Sequence, residues 1–201
     1  MYEIARLRIA LSRMPRPVLR RVEVPLSIHL DDLHLVIQHG MGWENRHPYE
    51  FRAGDGVAYG EVDPKSRVRS KRLNAADSTL ADICRHLSQS NLTFEYVYDF
   101  QDNWVHKVKL QGVGEPDPER AYPHLLSAIR RCPPEDSGGA WGYRRYVENL
   151  NRKKRAHQAR PDTEWDEEFD PDTVDTDLIR MHFVRIAEII AAKKRRAYRR
   201  R

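Results

Sequence analysis

An α+β fold is what this sequence predicts: a mixed or antiparallel sheet flanked by helices, with a basic carboxy-terminal helix. Three observations carry that prediction. Two runs, 5–11 and 94–110, alternate apolar and polar residues with the period of half-buried strands. Three others, 30–40, 141–158 and 175–190, space their apolar residues at the helical period. The last nine residues, KKRRAYRRR, carry seven cations.

The elements follow in order. Ala5, Leu7, Ile9 and Leu11 share one face of a first strand, which Pro15 and Pro17 interrupt. RRVEVP, Arg20 to Pro25, is a short second strand. LDDLHLVIQHG, Leu30 to Gly40, places Leu30, Leu33, Val36 and Ile37 on one helical face, has Asp31 and Asp32 where the helix dipole favours acids, and ends on glycine. HPYEFRAGDGVAYGEV, His47 to Val62, reads as a hairpin turning at Gly54 to Gly56. Ser78 is expected to cap a helix through Leu80, Ile83, Cys84 and Leu87, with Cys84 on its apolar face. In FEYVYDFQDNWVHKVKL, Phe94, Tyr96, Tyr98 and Phe100 alternate, Gln101 to Asn103 turn, and Trp104, His106, Val108 and Leu110 alternate again. Residues 112–123 read as a loop, followed by a short apolar segment, LLSAI. A helix over Trp141 to Gln158 turns Tyr143, Tyr146, Val147 and Leu150 inward. Asp175 caps a last helix whose face is Ile179, Phe183, Ile186, Ala187 and Ile190.

Composition narrows the function classes. The chain has 201 residues, 40% hydrophobic and 32% charged, with no apolar run long enough to cross a bilayer. The start lacks the uninterrupted apolar stretch of a signal peptide, so a cytoplasmic location with no membrane partner is expected. Two cysteines, Cys84 and Cys132, are too few for a disulfide framework. The net charge of +5 belongs to the tail: without its last nine residues the chain has 28 bases against 30 acids. Just upstream, residues 162–177 hold nine acids and no base, an internal competitor for the tail.

The motifs CPPEDSGG (132–139), GYRRYVENL, YVYDFQDNWVH and FDPDTVD, with PRPVLRRVEVP and LDDLHLVIQHGMGWENRHPYEF before them, stand in one order. In that order the chain resembles the plasmid pRiA open-reading-frame-three-like family, also called insertion-element passenger TnpR proteins, from about Met1 to Leu178. The resemblance implies an α+β domain over 1–178, leaving 179–201 as a helix with the basic tail. It implies no established activity, and it makes the chain an uncharacterised accessory protein of plasmids and mobile elements. This sequence departs from the family pattern at Leu19, Tyr49 and Gln101, where tryptophan, histidine and glycine are usual. Leu125 and Ser137 stand where cysteines are common, so a thiolate site built with Cys132 could not form. The residues do not support the resolvase name: Ser12 with Arg6, Arg8 and Arg13 lies on a strand pattern, and Tyr198 lies in the tail.

Three candidate sites emerge. His47, Glu50, Asp99, Asp102, His106, Glu135 and Asp136 are ligand types for a divalent metal, and a hydrolase acting on phosphodiesters would use His47, Asp99, Asp102 and His106. The bland alternative has Asp99 and Asp102 capping a turn, His106 pairing across the sheet, and Glu135 and Asp136 bonding neighbouring amides. Cys132 is the second candidate, read as a packed thiol because Glu135 and Asp136 disfavour a thiolate. Gly138 and Gly139 read as the turn into the next helix. The tail is the third: Lys193, Lys194, Arg195, Arg196, Arg199, Arg200 and Arg201 suit DNA or RNA through counterion release. Trp43, Trp104 and Trp141 are stacking surfaces in principle but sit in patterns of core or turn packing. The leading expectation is a non-catalytic binding protein without a cofactor; a divalent metal enters only with the hydrolase reading.

Overall fold

The computed structural model describes residues 3–62, 72–155 and 169–198. Its strands are β1 (Ile4–Leu11), β2 (Leu19–Pro25), β3 (Tyr49–Arg52), β4 (Ala58–Gly60), β5 (Leu73–Asn74), β6 (Thr93–Tyr98), β7 (Trp104–Gly114) and β8 (His124–Ile129). Its helices are α1 (Leu30–Met41), α2 (Leu80–Cys84), α3 (Gly139–Arg155) and α4 (Thr176–Tyr198). The strands form one sheet in the order β5-β4-β3-β6-β7-β1-β2-β8, antiparallel except for the β4–β5 pair. The α+β, mixed-sheet expectation is met.

Register explains which residues are inside. Ile9 lies opposite Val108 on one side and Arg20 on the other; Tyr96 lies opposite His106 and Phe51. Leu7, Ile9, Arg20, Val22, Phe51, Tyr96, Trp104, His106 and Val108 therefore share one face, and all are buried. Arg8, Arg21, Lys107 and Lys109 fall on the other side. One face carries the core and the other meets water, as antiparallel sheets allow. Leu30, Leu33, Val36 and Ile37 of α1 are all buried in the same core, as are Ile179, Phe183 and Ile186 of α4.

Several expected boundaries move. α1 runs past Gly40 and stops at Gly42, whose φ of 87° takes the left-handed cap and whose N–H reaches Gln38 O. α2 is short, and Thr79 rather than Ser78 caps it, in a reciprocal box with Asp82. Phe100 lies outside β6 and is exposed. β7 continues to Gly114 because its far end pairs with the start of β1, and LLSAI is an edge strand against β2. Tyr143, Tyr146 and Val147 are inward as expected, but Trp141 is 68% exposed, whereas Trp43 and Trp104 are buried. The end of the expected α3 helix, 156–158, lies outside the described residues.

The position 178/179 falls in the first turns of α4, which Asp175 opens by accepting from the N–H groups of Asp177 and Leu178. Within the described part of the acidic block, Asp172 pairs with Arg16 at 2.7 Å and Arg130 at 3.4 Å, whereas Asp177 is exposed and pairs with Arg180 of its own helix. Lys193 is a strut rather than a free tail cation. Its Nζ lies 2.5 Å from Asp32 Oδ1 and 3.0 Å from Asp31 Oδ2, at the amino terminus of α1, and Asp32 is buried. Lys193→Ala leaves that carboxylate without its cation. It is expected to lower stability by about 1–3 kcal/mol, read as a lower urea midpoint with an unchanged slope.

Candidate functional site

The CPPEDSGG loop docks on the turn between β6 and β7. Asp99 and Asn103 hold left-handed backbone conformations in that turn, φ 54° and 53°. Asp99 Oδ1 accepts from Gln101 N and Asp102 N at 2.9 and 3.3 Å. Asp102 reaches across to the loop, accepting from Gly138 N at 3.1 Å. Glu135 accepts from Glu44 N at 2.8 Å and from the Tyr98 hydroxyl. Trp43 Nε1 donates to Pro133 O at 2.8 Å. Glu135 thus bonds an amide distant in sequence rather than a neighbour.

The approach needs glycine. Gly138 and Gly139 have φ of 76° and 66°, and a Cβ on Gly139 would lie 2.5 Å from Asp102 O. Gly139→Ala must therefore push the loop off the turn. The expected outcome is a loss of about 2 kcal/mol or more in denaturant melts, with disrupted alignment of Asp136 against Asp99.

Sheet register delivers the third partner. Tyr49 pairs with Tyr98, and Asp99 N donates to Pro48 O at 3.0 Å, which sets His47 beside the turn. His47 Nε2 lies 3.0 Å from Asp136 Oδ1 and 3.8 Å from Asp99 Oδ2. One ligand atom from each of these three residues falls within 4.8 Å of the others. The Nε2 atom is buried and makes no directed hydrogen bond among the described residues despite its short approach to Asp136. Asp99 is buried, Asp136 exposed, and Arg46 Nη1 stands 3.9 Å from Asp136 Oδ2. A nitrogen and two carboxylate oxygens at these separations are a donor set for a cation such as Mn²⁺ or Zn²⁺.

Of the expected set of His47, Asp99, Asp102 and His106, the structure brings only the first two together. His47 and Asp99 meet; Asp102 holds Gly138, and His106 is fully buried, its Nδ1 3.3 Å from Tyr96 O and its ring edge-on to Trp43. The third ligand-type side chain beside His47 and Asp99 is Asp136. Glu50 pairs with Arg52 at 2.5 Å and Arg72 at 3.5 Å. Cys132 is buried, and burial above all pushes its thiol pKa upward, against the opposing pull of Arg20. Both cysteines are free thiols. Of the tail, Arg195 and Arg196 are exposed; Arg199, Arg200 and Arg201 lie outside the described residues, as does the side chain of Lys194.

A groove of about 710 Å³ adjoins the site through Glu44, Arg46 and Glu135, and is lined further on by Arg131, Phe169 and His182.

The sequence profile of the plasmid pRiA4b ORF-3-like proteins matches residues 3–178. The chain belongs to that family. The chain is 36% identical over 205 residues to the uncharacterized protein y4hQ of Sinorhizobium fredii, covering 98% of this chain and 97% of that one. It is also similar to the crystal structure of a protein of unknown function from Methanosarcina mazei Go1, with a TM-score of 0.71 and 27% identity over 88% of this chain and 97% of the other. Among the described residues, no helix is long and apolar enough to cross a membrane.

Proposed function

We propose that this protein binds one divalent cation through His47, Asp99 and Asp136, and that the cation activates water against a phosphodiester. The observation that supports it is the buried His47 Nε2, which lacks a directed hydrogen bond and faces two carboxylate oxygens drawn from separate loops. Three protein ligands leave coordination positions open for water and a phosphoryl oxygen. In such a step the water oxygen bonds to phosphorus, the P–O bond of the leaving alkoxide breaks, and the leaving oxygen takes up a proton. Arg46, exposed and paired with Glu44, stands 3.9 Å from Asp136 and would bring positive charge near a bound phosphate.

The test is titration calorimetry with Mn²⁺ and Zn²⁺, paired with hydrolysis of bis(p-nitrophenyl) phosphate. Saturable binding of one ion per chain is expected, with a loss of at least tenfold in affinity and of turnover in Asp99→Asn, and no change in Asp177→Asn. Absence of stoichiometric binding removes the centre; binding without turnover removes the hydrolytic role and leaves a metal-binding protein. The second reading is an accessory protein of mobile elements that contacts nucleic acid through its tail. Exposed Arg195 and Arg196 favour it, while the Lys193 strut subtracts one cation from it.

A further inference from the structure

Trp141 stands in the first turn of α3 and is not part of the packing that anchors that helix, which falls to Tyr143, Tyr146 and Val147. Trp141 is 68% exposed, so much of its indole is open to solvent. The Arg145 guanidinium lies over its ring, 4.7 Å from the centroid, so the indole is braced as a plate. Beside it is a shallow hollow of about 330 Å³ that Arg13 and Arg144 line together with Asp102, Asn103 and Ala140. The carboxylate in this hollow, Asp102, is engaged by Gly138 N. Neither Arg13 nor Arg144 forms an ion pair among the described residues. The surface therefore gathers Arg13 and Arg144 in one hollow with an exposed aromatic plate.

We infer that this surface binds single-stranded nucleic acid, one base stacking on Trp141 and the flanking phosphates meeting Arg13 and Arg144. Base–aromatic stacking tolerates any base, and paired arginines track a phosphate backbone. A duplex keeps its base faces stacked inside and has none to offer the plate. The surface is separate from the tail, and because it makes no use of the metal ligands it stands or falls independently of the metal centre.

The experiment is fluorescence anisotropy of labelled dT15 and rU15 with the full chain in EDTA, over a salt series. Saturable binding that weakens with salt is expected. Trp141→Ala should weaken it at least tenfold. Arg13→Gln with Arg144→Gln should do likewise and flatten the log–log salt slope by about 1.4, some 0.7 for each phosphate no longer neutralised. Asp177→Asn, outside this surface, should leave it unchanged, and because the assay is run in EDTA its outcome does not depend on the metal reading. Melting temperatures matching the parent show that the variants are folded. Four results overturn the inference: no binding, duplex binding as tight as single-strand binding, equal displacement by polyglutamate, or affinity insensitive to Trp141→Ala but abolished in Arg195→Gln/Arg196→Gln.

Discussion

The protein is expected to lose much of its stability as pH falls from about 6.5 to about 4, through two buried histidines. Burial is the main cause that lowers both His34 and His106 to about 4 from an ordinary 6.5. Because the folded value lies below the unfolded one, the unfolded chain binds more protons within that window. Stability is therefore complete above about pH 6.5 and declines with acid until the folded value is reached. His34 stacks on Tyr49 at 3.6 Å, and its ring nitrogens sit 2.7 Å from Tyr96 Oη and 2.7 Å from Asn45 Oδ1. Gln38 Nε2 donates to the same tyrosine oxygen, which leaves the Tyr96 proton for His34 Nδ1 and so fixes the neutral ring. His106 Nε2 is buried without a partner among the described residues, so a second proton there would be an unpaired charge. Each histidine contributes on the order of 3 kcal/mol across the window. His39, lowered by burial and then by His182 and Arg185 across α4, acts in the same direction. Melts from pH 7.5 to 4.5 should fall by about 10–20 °C, and His34→Gln or His106→Asn should flatten the curve. A melting temperature constant over that range removes the assignment.

Arg20→Ala is expected to destabilise the fold by about 3–5 kcal/mol. Arg20 is 1% exposed, on the core face of β2. Its Nε donates to Gly40 O at 2.5 Å, and its Nη1 to Leu19 O and Ile129 O at 2.8 and 3.1 Å. One planar guanidinium thus joins the end of α1 to the edge strand β8. Alanine would leave a cavity and strip these carbonyls of the donor. Arg20→Lys keeps the charge but cannot reproduce the fork, so it is expected to recover little of the stability. Equilibrium urea unfolding measures both, and a cost below about 1 kcal/mol for Arg20→Ala would show that the carbonyls find water instead.

Period-two alternation makes β1, β6 and β7 legible, because one face of each meets the core. The same alternation, followed strictly, also turns Arg20 and His106 inward, and residue chemistry alone argues against it. β8 is harder to read, since an edge strand is defined by its partner β2 rather than by its own pattern. Trp141 escapes the pattern because helical spacing marks a face but not which neighbour covers it. At the site, His47 and Asp99 are legible as ligand types. Their partner is not, because choosing Asp136 over Asp102 depends on how CPPEDSGG docks on the β6–β7 turn. That docking rests on left-handed backbone at Asp99, Asp136, Gly138 and Gly139, which no hydrophobic period records.

The proposed metal centre is tested most directly by anomalous diffraction from crystals grown with Mn²⁺. One strong peak is expected about 2.0–2.3 Å from His47 Nε2, Asp99 Oδ2 and Asp136 Oδ1 together. Full occupancy elsewhere with none at these three atoms, or no protein-bound peak at all, would contradict the assignment.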